Sequence, residues 1–313
     1  MIKYNKLFAL VKKYTHRIIA HLVARILKTG ATYDANNFRL WEKQGYHITP
    51  VSFYYPIPDT RELTKIHPRS HKISGIDFRP EFQLQFLAEI VPQYASEYNA
   101  FPLTKPASPQ KFYIENDAFV GIDPHLYHVM IRHFQPRTII EVGAGNTTLL
   151  GAQASRLNGH TRYISIEPYP RDFIAQGVSG VEHVQHKAED LPVDFFRQLR
   201  ANDILFIDSS HVIKSSGDVC FLILNVLPCL EPGVIVHFHD IYLPFDYSRN
   251  LLLNIQYFWT EQYLLQAYLA DNDHAELLIG SKFILDKYPT KVKNTFPQVR
   301  DYGGSASFWI RKC

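Results

Sequence analysis

From residue 117 onward, short apolar runs alternate with segments whose apolar residues recur at helical spacing. The runs are rich in Val and Ile and are bounded by turn-forming residues, which is typical of buried strands. Seven strands are predicted in this way, at residues 138–142, 161–166, 181–185, 203–207, 234–238, 276–284 and 306–311. Because the strands alternate with helices, the pattern predicts an α/β fold with a doubly wound, mostly parallel sheet.

Three helices of this region are marked by their ends or by their apolar spacing. Asp123 and Pro124 are typical of an N-cap followed by a first helical residue, so a helix is expected up to residue 134. Apolar spacing also predicts a helix over residues 214–230, which Pro232 and Gly233 would end, and a long helix over residues 251–270.

Residues 1–116 show a different pattern and are predicted to form an N-terminal extension to a domain of residues 117–313. Residues 2–28 place apolar residues three and four apart among Lys and Arg, with no acid, which predicts a basic amphipathic helix. Residues 29–75 are rich in Pro and aromatic residues, so we expect an irregular segment that acts either as a lid or as a structural wrap. Helical spacing returns over residues 79–97.

Composition narrows the possible classes of protein. The chain has 313 residues, of which 46% are hydrophobic and 20% charged, enough for a sizeable core. A net charge of +3 gives no reason to expect nucleic-acid binding. The three cysteines lack paired or metal-type spacing, which predicts a reducing, cytoplasmic setting. Charges within residues 2–28 exclude a signal peptide or a membrane span. They leave a helix that binds a membrane surface or a partner, or one that packs on the chain's own body or on a second subunit of a homo-oligomer.

A glycine turn at residues 143–145 joins the first predicted strand to a helix. Glycines let the backbone approach a ligand closely, and the free N–H groups of the new helix face that ligand, so a nucleotide-type ligand is expected. Thr148 stands where a dinucleotide fingerprint requires a third small residue, and Glu141 beside the loop would repel phosphates. Glu167, after the second predicted strand, is placed to accept both hydroxyls of a ribose.

The stretch at residues 138–151 resembles motif I of the class I S-adenosylmethionine-dependent methyltransferases. Residues 117–313 resemble their Rossmann-like fold, whose last strand is antiparallel, and are most similar to the catechol-type and macrolide- or sugar-directed O-methyltransferases. The resemblance implies that S-adenosylmethionine is the cofactor and that the turn after the third strand contacts adenine. The implied cofactor-binding residues are Glu141, Gly143, Ala144, Gly145, Asn146, Thr147, Glu167, Ala188, Glu189 and Asp208.

Polar residues also follow the fourth and fifth predicted strands, at the edge where open α/β sheets bind ligands. These are Asp208 and His211, then His239 and Asp240. In one interpretation, Asp208, His239 and Asp240 occupy the positions at which the catechol-type branch binds a divalent metal that acidifies a substrate hydroxyl. The imidazole would favour Mn²⁺, Fe²⁺ or Zn²⁺ over Mg²⁺. In the other interpretation, His211 or His239 is the general base and Asp208 or Asp240 orients it.

The sequence therefore favours O-methylation of a small-molecule or carbohydrate-like acceptor. One alternative is a non-haem metal-dependent oxygenase, with ligands drawn from His211, His239 and the two aspartates Asp208 and Asp240. Another is a non-catalytic or membrane-associated protein built on the same scaffold. His237 lies on the same side of its strand as His239 and is expected to belong either to the site or to the core.

Overall fold

The computed structural model describes residues 2–28, 34–63, 73–108, 110–116 and 118–313. The chain divides into two compact units, Met1–His67 and Pro68–Cys313. Among the described residues of the first unit, three segments are α-helical: α1 (Ile2–Leu27), α2 (Ala35–Lys43) and α3 (Thr60–Leu63). The predicted basic helix is thus confirmed as α1.

The prediction that residues 29–75 are irregular is wrong at α2 and α3, which are helical. α2 begins behind Asp34, whose carboxylate accepts hydrogen bonds from the backbone N–H groups of Asn36 and Asn37 at 2.8 and 3.0 Å. An Asp at this position satisfies N–H groups that have no partner within the helix, which allows a short helix to start. The lid or wrap that we expect of this segment stays a prediction.

The second unit is built on a seven-stranded sheet. Its strands are β1 (Thr138–Val142), β2 (Arg162–Ile166), β3 (Val181–Val184), β4 (Ile204–Ile207), β5 (Ile235–Phe238), β6 (Ala275–Gly280) and β7 (Phe308–Lys312). The strand order is β3-β2-β1-β4-β5-β7-β6. β1 to β5 pair in parallel, whereas β7 is antiparallel to both β5 and β6. The predicted mostly parallel sheet with an antiparallel last strand is confirmed.

Helices flank this sheet. The described α-helices of the second unit are α4 (Pro80–Gln85), α5 (Ala95–Tyr98), α6 (Asp123–Phe134), α7 (Asn146–Asn158), α8 (Asp172–Ala175), α9 (Val193–Phe196), α10 (Asp218–Phe221), α11 (Glu261–Leu269), α12 (Ser281–Lys287) and α13 (Pro289–Thr295). π-helical turns lie at Phe86–Ile90, Leu222–Val226 and Asn250–Ile255, and 3₁₀ turns at Val91–Tyr94, Ala188–Asp190 and Leu227–Cys229.

Two predicted elements are too long at one end. The strand expected over residues 276–284 ends at Gly280, and its last apolar residues, Phe283 and Ile284, enter the core from α12 instead. The helix expected from residue 214 begins only at Asp218, after Gly217. In both cases an apolar run continues past the end of one element into another, so apolarity alone does not mark the boundary.

The single helix predicted over residues 251–270 is wrong. Gln256 adopts a left-handed φ of +64°, and regular helix resumes only at Glu261, as α11. The N–H groups of Thr260 and Glu261 donate to the carbonyl oxygen of His211 at 2.8 and 3.1 Å. The interruption therefore fixes the start of α11 beside the loop that follows β4.

Apolar residues pack on both faces of the sheet, as expected for parallel strands. Neighbouring residues of β1 face opposite sides, with Ile139 in one core cluster and Ile140 in the other. Residues that the sequence assigns to the N-terminal extension also contribute to the first cluster: Phe86, Leu87, Val91, Tyr98 and Phe112. The predicted boundary at residue 116, as a division of function, stays a prediction.

Candidate active site

The glycine loop between β1 and α7 packs tightly against the end of β4. Gly143 has a φ of +91°, and a Cβ atom there would lie 1.9 Å from the carbonyl oxygen of Asp208. Only glycine tolerates both the left-handed backbone and this approach. At Gly145 a Cβ atom would meet no protein atom within 4 Å. The loop is therefore closed on its β4 side and open on the side of Gly145.

A cavity of about 410 Å³ opens at the carboxyl ends of β1 to β4. Several of the predicted cofactor residues line it, namely Gly143, Glu167, Ala188, Glu189 and Asp208. Its volume lies in the range of small-molecule sites. Sequence reasoning missed Ser209, Ser210, Lys214 and Asp218, which also line the cavity and follow β4. Their proximity to Asp208 in the chain is the signal that would have found them.

Glu167 holds the glycine loop from the second strand. One carboxylate oxygen accepts a hydrogen bond from the N–H of Ala144 at 3.2 Å, and the other accepts from the N–H of Tyr169 at 2.7 Å. Each oxygen keeps a further lone pair for a ligand hydroxyl. The carboxylate therefore lines the cavity with acceptor capacity to spare, and the ribose contact stays a prediction.

Glu141 lies beneath the loop and does not line the cavity. Its fully buried carboxylate accepts hydrogen bonds from the hydroxyls of Thr147 and Thr148 at 2.5 and 2.7 Å. Burial raises the pKa of Glu141 to about 7, although these hydroxyl donors oppose the shift. Thr148 also accepts from the N–H of Gly145 at 3.0 Å, which explains a threonine at that position. Asn146 donates to the side chain of Asn116 at 3.1 Å.

Beside the cavity, Asp208, His211 and Asp240 bring three possible ligand atoms within 4.8 Å of one another. His211 Nε2 lies 3.3 Å from Asp208 Oδ1 and 3.7 Å from Asp240 Oδ2. Both His211 and Asp240 have left-handed φ angles, of +59° and +56°. Residues held in this region by their surroundings are often found at functional sites. The structure thus brings together side chains from the ends of β4 and β5.

Glu261 orients His211 and was missed by sequence reasoning. Its Oε2 lies 2.8 Å from His211 Nδ1, and both side chains are buried. A carboxylate on Nδ1 fixes the ring so that Nε2 faces Asp208 and Asp240. The signal for Glu261 was the Thr260-Glu261 pair, which is typical of a helix start within what we predict as one continuous helix.

His239 lies on the other side of the same carboxylates. Its Nδ1 is 3.6 Å from both Asp208 Oδ1 and Asp240 Oδ2, and its Nε2 is 3.7 Å from Asp123 Oδ2.

The prediction that Asp123 is an N-cap is wrong, because Asp123 already belongs to α6. Its buried carboxylate instead accepts from Ser281 Oγ and Ala306 N, both at 2.6 Å, which leaves it unable to cap α6.

His237 is a core residue. It is fully buried, lies 2.9 Å from Ser307 Oγ and stacks on Phe206 with 3.9 Å between ring centroids. Burial lowers the pKa of His237 well below its ordinary value. The lowered pKa favours a neutral ring within the sheet.

The electrostatics of the cluster favour charged imidazoles. Burial alone would lower the pKa of His211, but the hydrogen bonds that its ring donates to Asp208 and Glu261 outweigh this effect and raise the pKa to about 10. Burial also opposes a charge on His239, yet Asp240 and Asp208 raise its pKa well above the usual range. In turn, the two imidazoles hold the pKa of Asp208 far below its ordinary value despite burial. Both shifts favour a positive charge on the imidazoles that lie beside these carboxylates.

The donor set fits a divalent metal. Asp208, Asp240 and His211 offer two carboxylates and one imidazole, and His239 Nδ1 lies 3.6 Å from both of these carboxylates. Mixed nitrogen and oxygen ligands suit Mn²⁺, Fe²⁺ or Zn²⁺ better than Mg²⁺. The group that could hold a metal thus contains Asp208 and Asp240 from the predicted set together with His211, and the metal itself stays a prediction.

Comparison with known proteins shows which protein family part of this chain resembles. Residues 140–241, which run from β1 to the residue after Asp240, match a family model described as a methyltransferase domain. The mostly parallel seven-stranded sheet with an antiparallel β7 is the one expected from the resemblance at the sequence level. Residues 140–241 are therefore similar to a methyltransferase domain, and the predicted resemblance to the S-adenosylmethionine-dependent methyltransferases is confirmed.

Individual relatives of the methyltransferase domain are distant. An uncharacterized protein of Archaeoglobus fulgidus is 26% identical over 201 residues, which cover 60% of this chain and 87% of that protein. The O-methyltransferase TomG from Streptomyces achromogenes is 16% identical with a TM-score of 0.38, over 81% of this chain and 94% of that one. The Podospora anserina methyltransferase PaMTH1 is 14% identical with a TM-score of 0.39, over 85% and 98%. Such low scores carry no argument about function.

Proposed function

We propose that this protein transfers the methyl group of S-adenosylmethionine to a hydroxyl of a small-molecule or carbohydrate-like acceptor. The observation that carries the proposal is the position of Asp208. This residue lines the cavity next to the glycine loop and also lies 3.3 Å from Nε2 of His211. A cofactor in the cavity and an acceptor at the histidine would therefore meet at one side chain.

The cavity suggests how the cofactor lies. We assign its amino-acid end to Gly143 and Gly145, because the backbone is open at Gly145 and the N-terminus of α7 favours a carboxylate. We assign its ribose to Glu167 and its adenine to Ala188 and Glu189, which also line the cavity. Methyl transfer from a sulfonium needs mainly in-line positioning and a deprotonated acceptor, because the leaving group is already activated.

We assign deprotonation of the acceptor hydroxyl to His211 and its neighbours. Because the pKa of His211 is raised to about 10, the ring accepts that proton only after it has released its own. Glu261 holds the ring through Nδ1, which leaves Nε2 directed at the position of the acceptor hydroxyl beside Asp208 and Asp240. A divalent cation held by Asp208, His211 and Asp240 would supply Lewis acidity that lowers the pKa of that hydroxyl. Imidazoles bind metals in the neutral form, so His211 has to release its proton for this role.

The test is a methyl-transfer assay with labelled S-adenosylmethionine and a panel of catechols, macrolides and monosaccharides. We expect transfer to a hydroxyl acceptor, and a loss of at least about 100-fold in His211→Asn. Asn accepts the left-handed backbone of residue 211, so this variant removes the imidazole without straining the loop. Glu182→Gln, on the exposed edge of β3, is the matched control and should keep full activity.

Two outcomes would contradict the proposal. A wild-type rate in His211→Asn would remove the imidazole from the reaction. Stoichiometric iron in the purified protein, together with no binding of S-adenosylmethionine, would favour the oxygenase alternative, whose ligands come from the same cluster.

A further inference from the structure

The helix α1 has a composition that the methyltransferase reaction does not explain. Its sequence carries basic residues and no Asp or Glu over the whole of Ile2–Leu27. The basic residues are Lys3, Lys6, Lys12, Lys13, Arg17 and Arg25. A soluble helix ordinarily mixes both signs of charge, which supports its exposed face by pairing along the helix.

An apolar stripe runs along the same helix and is open to solvent. Tyr14, Ile18 and Leu22 stand four residues apart, and their exposed fractions are 59%, 61% and 54%. Ile19, beside them, is 51% exposed. Residues at this spacing share one face of a helix. Large apolar side chains at more than half exposure over two turns form a patch of the kind that marks a binding surface.

The basic residues flank this stripe. Arg17, His21 and Arg25 follow the same four-residue spacing, and their row is centred about 60° around the helix from the apolar row. Long Arg side chains beside an apolar face can bury their stems and extend their charges toward phosphates. Among the described residues, no helix is both long and apolar enough to cross a bilayer.

We propose that α1 binds the surface of a membrane that contains anionic phospholipids, with the Tyr14–Ile18–Leu22 stripe in the acyl boundary and the Arg residues at the phosphates. Charge complementarity favours a membrane as the partner of α1. A helix that has basic residues and no acid is attracted to an anionic surface, whereas two copies of the same helix would repel each other. An amphipathic basic helix of this length is suited to lie in the interface plane.

Vesicle flotation of the full chain tests the proposal, with vesicles of phosphatidylcholine alone or mixed with phosphatidylglycerol. We expect the protein to float with the anionic vesicles at least tenfold more than with the neutral ones. Raising NaCl from about 0.1 to about 0.5 M should weaken this binding without abolishing it, because the apolar contacts are not screened. Equal binding to both kinds of vesicle, or none to either, would overturn the proposal.

Two double variants separate the apolar face from the charge. Ile18→Glu with Leu22→Glu places two acids on the stripe, and Ala20→Glu with Ala24→Glu places the same two acids on the opposite face. We expect the first pair to bind anionic vesicles at least tenfold less than the second. Equal losses would overturn the apolar contact. A different outcome would assign the apolar stripe to a second copy of the chain. In that outcome the wild type is a dimer that binds no vesicles, and only the first double variant is a monomer.

Discussion

The carbonyl oxygen of Asp208 approaches Gly143 so closely that a Cβ atom on Gly143 would lie 1.9 Å from it. This approach joins the glycine loop after β1 to the end of β4. The side chain of the same Asp208 reaches His211 and His239. The cofactor loop and the histidine cluster are therefore coupled through one residue, so a change at either should affect the other.

Gly143→Ala should destabilise the protein and abolish cofactor binding. The new methyl group adds a backbone clash to a left-handed φ, and left-handed backbone alone costs about 1–2 kcal/mol for a residue with a Cβ atom. Gly177→Ala is the matched control, because Gly177 has a φ of +86° and no protein atom near its Cβ position. We expect the urea midpoint to fall markedly more for Gly143→Ala. Equal shifts would mean that the approach of Asp208 relaxes at no cost.

Glu261→Gln should lower the pKa of His211. The amide keeps a polar partner at Nδ1 but removes the negative charge that, with Asp208, raises this pKa to about 10. Histidine ring resonances, followed by NMR across pH in protein treated with a chelator, report the change. Glu182→Gln should leave the titration of His211 unaltered. A His211 pKa that is the same in both variants would contradict the assigned role of Glu261.

Without metal, the protein should lose stability as the pH rises. The folded pKa of His211 is about 10, compared with about 6.5 for an exposed imidazole. A raised histidine pKa contributes stability that is fully present below pH 6.5 and is lost as the pH passes through 10. Urea midpoints at about pH 6 and about pH 9.5 should therefore differ less in His211→Asn than in the wild type. The same pH dependence in both proteins would contradict the charged state of His211.

How much of the structure can be predicted from the sequence depends on how far apart in the chain the interacting residues lie. The strands and the glycine loop are local features, because each apolar run and its turn lie within about ten residues, and they are predicted correctly from the sequence. Glu261 pairs with His211 across fifty positions of the chain. That pairing depends on the break at Gln256, where nothing in the apolar spacing interrupts the helical pattern. Tertiary contact with the carbonyl of His211 decides that break.

Glu141 shows a second reason why the structure differs from what the sequence predicts. From the sequence, an acid beside a glycine loop is expected to face the ligand. The structure turns it inward, because Thr147 and Thr148 place two hydroxyl donors beneath the first turn of α7. Glu141 lies at the end of β1, next to the loop. The direction in which its carboxylate points depends on hydrogen-bond donors that only the folded chain brings within reach.

One divalent ion per chain should bind at the cluster. We expect Mn²⁺ or Zn²⁺ to raise the melting temperature of the purified protein and a chelator to reverse the effect. Asp240→Asn should abolish the increase, since it removes a carboxylate that lies 3.7 Å from His211 Nε2 and 3.6 Å from His239 Nδ1. Asp172→Asn, on the exposed start of α8, should keep it. Unchanged binding in Asp240→Asn would place the ion elsewhere.

The central claim is that S-adenosylmethionine lies in the cavity between the glycine loop and Glu167. Calorimetric titration of the purified chain with S-adenosylmethionine tests it most directly, using Glu167→Gln beside the matched control Glu182→Gln. We predict saturable one-to-one binding by the wild type and the control, and at least about tenfold weaker binding by Glu167→Gln, a loss of about 1.4 kcal/mol. A folded wild-type protein that gives no heat of binding, or a Glu167→Gln variant that binds as tightly as the control, would contradict the account.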